Sequence, residues 1–95
     1  MEQPFEILHK QLDSSTSPEE IRQIISKLTQ LSQTDSESED LWLLLGHAHR
    51  KLQDWKEALN SYTEALRINP DSAARGAYEQ VMEILNFFNK DLFNQ

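Results

Sequence analysis

Apolar residues recur every three or four positions in five separate stretches of this chain, the spacing that gives a helix one buried face. In the first, PFEILHKQLD at residues 4–13, Phe5, Leu8 and Leu12 share a side and Pro4 lies in the first turn. The polar SSTSPEE then opens a second helix, with Ser17 as cap, Pro18 at the first helical position and Glu20 closing a capping box. It carries Ile21, Ile24, Ile25, Leu28 and Leu31 and ends near Ser32. The acidic linker QTDSESED seeds a third helix, because Ser36 and Glu39 have capping-box spacing and carboxylates favour the positive helix end. This helix is expected from about Glu37 to Leu52, and a fourth from about Asp54 to Ile68, where Asn69 and Pro70 stop it. Asp71 or Ser72 caps a fifth through AARGAYEQVMEILNFFN, with fraying expected in KDLFNQ. The pattern predicts an all-α fold of five helices with short connections.

Small residues sit where the third and fourth helices would otherwise carry large ones. Trp42, Leu45, Gly46 and His49 form one stripe, answered by Trp55, Ala58, Leu59, Tyr62, Ala65 and Leu66. A mid-helix glycine costs roughly 1 kcal/mol against alanine, so Gly46 implies a close backbone approach, with Ala58 expected across from it. Ala65 is expected to play the same part against the fifth helix.

These positions resemble a known family. Trp42, Leu45, Gly46, Ala58, Tyr62, Ala65 and Pro70 match the tetratricopeptide repeat pattern of Trp, Leu-Gly, Ala, Phe or Tyr, Ala and Pro across residues 39–72. His49 departs from it, standing where the family usually has tyrosine. The resemblance implies a solenoid of antiparallel helical hairpins, of about two repeats plus a C-terminal capping helix. A shift of 34 residues toward the N-terminus finds Leu8, Gln11, Leu12, Ile24, Leu28, Leu31 and Ser36, which keep the periodicity but replace small residues with large ones. Residues 1–34 are therefore either a degenerate repeat or an unrelated hairpin, and residues 73–95 a capping helix and tail of the same single domain.

The resemblance also implies an interaction module without catalysis, since the inner surface of the first helix of such repeats lines a concave groove for peptides or partner segments. Leu41, Leu44, Ala48 and Leu52 form a second apolar stripe suited to the second helix. This leaves Asp40, Leu43, His47, Arg50 and Lys51 for the groove, with Tyr78 added from the fifth helix. Leu43 is either an internal contact or a ligand-facing anchor, and Arg50 and Lys51 either face solvent or pair with an acidic or phosphate group. Leu43 and His47 occupy the places where the family's carboxylate-gripping members need lysine and asparagine, which argues against that mode.

The fifth helix allows a second reading. Ala74, Tyr78, Val81, Met82, Leu85 and Phe88 form a broad stripe, widened by Ala77 and Ile84, while Phe87 lies outside it and Leu92 and Phe93 follow. Either the second and fourth helices cover this surface, or Phe87, Leu92 and Phe93 mediate self-association into a homo-oligomer or the docking of a partner. Solenoids of fewer than about three repeats are short of core, which favours a partner.

Charge and chemistry narrow the choice further. Nine basic against sixteen acidic residues give a net charge of -7, which disfavours nucleic acid and anionic membranes. No apolar run approaches spanning length and the first residues lack an export-signal pattern, so a cytoplasmic protein is expected. The absence of cysteine removes disulfides, thiolate metal sites and thiol catalysis. His47 and His49 diverge by about 200 degrees around a helix and His9 lies on another, so no metal is expected. With no phosphate loop or nucleophile motif, neither a cofactor nor an enzymatic role is expected.

Overall fold

The computed structural model describes residues 4–14 and 17–88. They form five helices: α1 (Pro4–Ser14), α2 (Pro18–Thr34), α3 (Glu39–Lys51), α4 (Trp55–Ile68) and α5 (Ala74–Phe88). Each packs on its neighbour in sequence, and α1 also packs on α3, the order of a solenoid of antiparallel hairpins. The expectations for Leu92, Phe93 and the KDLFNQ tail lie outside the described residues.

The helix starts follow their caps, with two corrections. Pro18 opens α2 behind Ser17, but the Ser17 side chain makes no capping hydrogen bond, so the expected capping box is not formed. The cap of α3 is Ser38, whose Oγ accepts from the Leu41 amide, and the helix begins at Glu39. Ser36 lies two residues before the cap, where its carbonyl accepts the Trp42 indole N–H at 2.8 Å, pinning the linker to the helix it precedes. Ser72 rather than Asp71 takes the start of α5, its Oγ accepting from the Ala74 amide at 3.1 Å.

The turn between α3 and α4 closes as a Schellman motif. The Asp54 amide donates to the His49 carbonyl and the Gln53 amide to the Arg50 carbonyl, both at 2.9 Å, with Gln53 in the left-handed region at φ 61°. A glutamine there bears the steric cost that glycine avoids.

Two cores result. Leu8 and Leu12 of α1, Ile21, Ile24 and Leu28 of α2, and Leu41, Leu44, Leu45 and Ala48 of α3 form the first. Leu45, expected on the α4-facing stripe, belongs to this first core. Ala58, Tyr62 and Ala65 of α4 with Ala74, Ala77 and Val81 of α5 form the second, and Trp42 packs against both. The atoms nearest Gly46 belong to Tyr62: a Cβ built on the glycine would lie 2.6 Å from Tyr62 Cδ1 and 3.0 Å from Cζ. The tyrosine ring fills the space that a missing side chain leaves.

The fifth helix rests on α4, and α2 makes no comparable contact with it, so the expectation of cover from both is corrected. A polar joint holds α5 in place. Asn69 Nδ2 donates to Glu39 Oε1 at 2.9 Å, and the Ser72 side chain lies beside the same carboxyl, which brings the start of α3 to the end of α4 and the start of α5. Ser72 and then Asn69 hold Glu39 below the usual carboxylate range.

Candidate interaction groove

Helices α1 and α3 lie side by side and point the same way, because residues near the start of one line a cavity with residues near the start of the other. The first cavity, of about 180 Å³, is walled by Glu6 and His9 from α1 and by Asp40, Leu43, Leu44 and His47 from α3. The second, of about 340 Å³, is walled by His9, Leu12 and Asp13 from α1 and by His47, Arg50 and Lys51 from α3. His9 and His47 belong to both, so the two cavities are one groove along the helix pair.

Five of the six groove residues expected from the sequence come together here: Asp40, Leu43, His47, Arg50 and Lys51. Leu43 also packs against the second core, so it is wall and floor at once. Tyr78 is half-buried against that core. From α5 it is Gln80 that reaches α3, its Oε1 accepting from Arg50 Nη1 at 2.9 Å. The register explains this: the buried Ala74, Ala77 and Val81 stand 33 residues after the buried Leu41, Leu44 and Ala48, which puts Gln80 level with His47.

The α1 wall of Glu6, His9 and Asp13 was missed by the sequence reading, yet the signal existed. These residues stand 34 before Asp40, Leu43 and His47, the same shift that finds the buried positions of the first hairpin. His9 and Asp13 face each other at 3.5 Å along the helix.

Polar contacts fix the floor. His47 Nδ1 lies 2.8 Å from the Tyr62 hydroxyl, and the two rings meet edge to face with centroids 5.5 Å apart. The tautomer of His47 sets which of the two groups donates. Burial first, then the His9 and Arg50 charges, hold His47 below the ordinary histidine value, with Asp13 opposing. Burial raises Tyr62, partly countered by Arg50. Lys51 Nζ donates to the Leu12 carbonyl near the end of α1, so it braces the helix pair as well as lining the groove. His49 points elsewhere, 3.8 Å from Asp54, with Nδ1 buried and unbonded.

Among the described residues no three histidine or acidic side chains gather as metal ligands, and no helix is long and apolar enough to cross a membrane. Phe87 is 78% exposed on α5, with Met82 at 37%.

Comparison with known proteins agrees with this geometry. The family profile described as Tetratricopeptide repeat matches residues 39–72, which are α3, α4 and their flanking turns. The solution NMR structure of the Bacteroides fragilis protein BF1650 superposes with a TM-score of 0.80 at 35% identity, covering 99% of this chain and 92% of that one. No curated protein matches the chain. The repeat match and the hairpin order together show that residues 39–72, α3 and α4, are a tetratricopeptide repeat within a chain built of helical hairpins.

Proposed function

We propose that this protein is a non-catalytic adaptor that holds a segment of a protein partner in the groove between α1 and α3. Repeats of this family in general mediate protein–protein contact. The observation that carries the reading is the continuity of the groove, two cavities joined at His9 and His47 along parallel helices. Residues 1–34 are a divergent first repeat in this reading, supported by the 34-residue spacing of both groove walls. Affinity capture from native lysate tests it: a partner held by the parent chain should be lost with Leu43→Asp and with His9→Glu. Capture that survives both substitutions overturns the reading.

A second reading is favoured by one observation, the 78% exposure of Phe87 on α5. In it two copies associate through their C-terminal helices. Light scattering over a range of concentrations decides: a mass that rises toward a dimer and falls back with Phe87→Glu supports it. A monomer at every concentration removes it.

A further inference from the structure

The groove is electrically polar along its length. Its first cavity carries two carboxylates, Glu6 and Asp40, and neither lysine nor arginine. Its second carries two cations, Arg50 and Lys51, against the single carboxylate of Asp13. Between them the floor is apolar and aromatic, built from Leu43, Leu44 and the two shared histidines. This arrangement runs against the chain as a whole, whose net charge of -7 would favour a uniformly basic partner.

We infer that the groove takes an extended segment bearing a basic side chain at the Glu6–Asp40 end, an apolar side chain over Leu43, and an acidic group at the Arg50 end. This deepens the proposed adaptor function and rests on it. Helix geometry sets the spacing. Asp40 and Arg50 are separated by ten residues of α3, about 15 Å at 1.5 Å per residue. An extended peptide covers that in four or five residues at roughly 3.3 Å each. The segment therefore carries its lysine or arginine and its aspartate or glutamate four or five positions apart, with a leucine-sized group between.

Both charged ends are open to solvent, with Glu6, Asp40 and Lys51 exposed and Arg50 half-buried. Pairs of this kind contribute modestly, so two of them together favour the matched ligand by roughly three- to tenfold in Kd. Arg50 brings its cation already oriented by Gln80, so little ordering is needed when a carboxylate arrives.

Four blocked seven-residue peptides test the inference by two-dimensional NMR on the intact chain. Each has a central leucine, flanked two positions away on either side by Lys and Glu, Glu and Lys, Lys and Lys, or Glu and Glu. One of the two mixed peptides should shift His9, Leu43, His47 and Arg50, with a Kd three- to tenfold lower than either like-charged peptide. Glu6→Lys with Asp40→Lys, both at exposed positions, should abolish that preference and raise the affinity of the Glu and Glu peptide. Groove binding that ignores charge order, or a preference unchanged by the double substitution, overturns the inference and leaves the groove itself standing. Shifts confined to the convex turns, or no shifts from any peptide, overturn both.

Discussion

The two hairpins of this molecule occupy equivalent places in the solenoid but are closed by different means. In α3–α4 the facing pair is Gly46 and Tyr62, a missing side chain under a large ring, and Tyr62 is 0% exposed. Thirty-four residues earlier the same places hold Leu12 and Leu28, at 2% and 0% exposure. Both pairs are buried, yet two leucines hold their helices apart where a glycine lets them meet. Clefts of about 340 Å³ and about 410 Å³ accordingly open along α1 and α2, the first lined by Gln11, Ser14, Gln23 and Ile24 among others, the second by Ile7, Leu8, Lys27 and Leu31. Hydrophobicity alone fills a core, but the depth of the approach is set by size at one position.

Breaking the tighter hairpin should have the largest effect. Tyr62→Ala removes a fully buried ring from the second core and takes away the hydroxyl that meets His47, with an expected loss of about 3–5 kcal/mol in chemical denaturation. Tyr62→Phe keeps the ring and isolates the hydroxyl, and should cost about 1 kcal/mol. A loss from Tyr62→Ala no greater than that of Tyr62→Phe would show that the ring over Gly46 does not hold the hairpin.

The glycines sharpen the comparison from the other side. Gly46→Ala gains helix propensity but drives a methyl group into the Tyr62 ring, and should destabilise by about 1–3 kcal/mol. Gly76 is also helical, in α5, with nothing within 4 Å of the place a Cβ would take. Gly76→Ala should therefore stabilise by up to about 1 kcal/mol. Thermal melts of the two variants moving in the same direction would refute the packing account of Gly46.

Much of this was legible in sequence because it follows from period and size. The five helices and the small residues of α3–α4 come from spacing, and most of the α3 wall of the groove from the family resemblance. The Tyr62 ring lying nearest Gly46 did not, since offset along a helix fixes which face a residue occupies but not which side chain bends across to fill a gap. Tyr62 does so because an aromatic ring reaches farther than the Ala58 methyl. The α1 wall was hidden for a different reason: Glu6, His9 and Asp13 are polar and resemble any solvated helix face until α3 is laid beside them. The choice of Ser38 over Ser36 was equally out of reach, because both serines lie in the same polar linker and the helix begins at Glu39.

The connection within the tight hairpin offers a smaller gain. Gln53 holds φ 61° in the Schellman turn, so Gln53→Gly should remove the left-handed penalty while keeping both turn hydrogen bonds, and stabilise by about 0.5–1 kcal/mol in urea. Gln53→Val, branched at Cβ, should shift the midpoint the opposite way.

The smallest effect is one that only α3–α4 can show, because the residue level with His47 in α1 is Asp13 and the one level with Tyr62 is Leu28. His47 faces His9 and Asp13 from α1, Arg50 from its own helix and Tyr62 from α4, and its net displacement is downward from the ordinary value of about 6.5. The folded state therefore favours neutral imidazole more than the unfolded state does. Below about pH 6.5 the unfolded chain binds the extra proton first, so this contribution is whole above that value and lost as pH falls through the lowered folded value. Protonation makes Nδ1 a donor only, so the contact then holds solely with the Tyr62 hydroxyl oxygen accepting. His47→Gln cannot titrate, so the stability difference between parent and variant should shrink as the pH is lowered from 7.5 to 5. A difference that stays constant over that range would mean the His47–Tyr62 contact is indifferent to protonation.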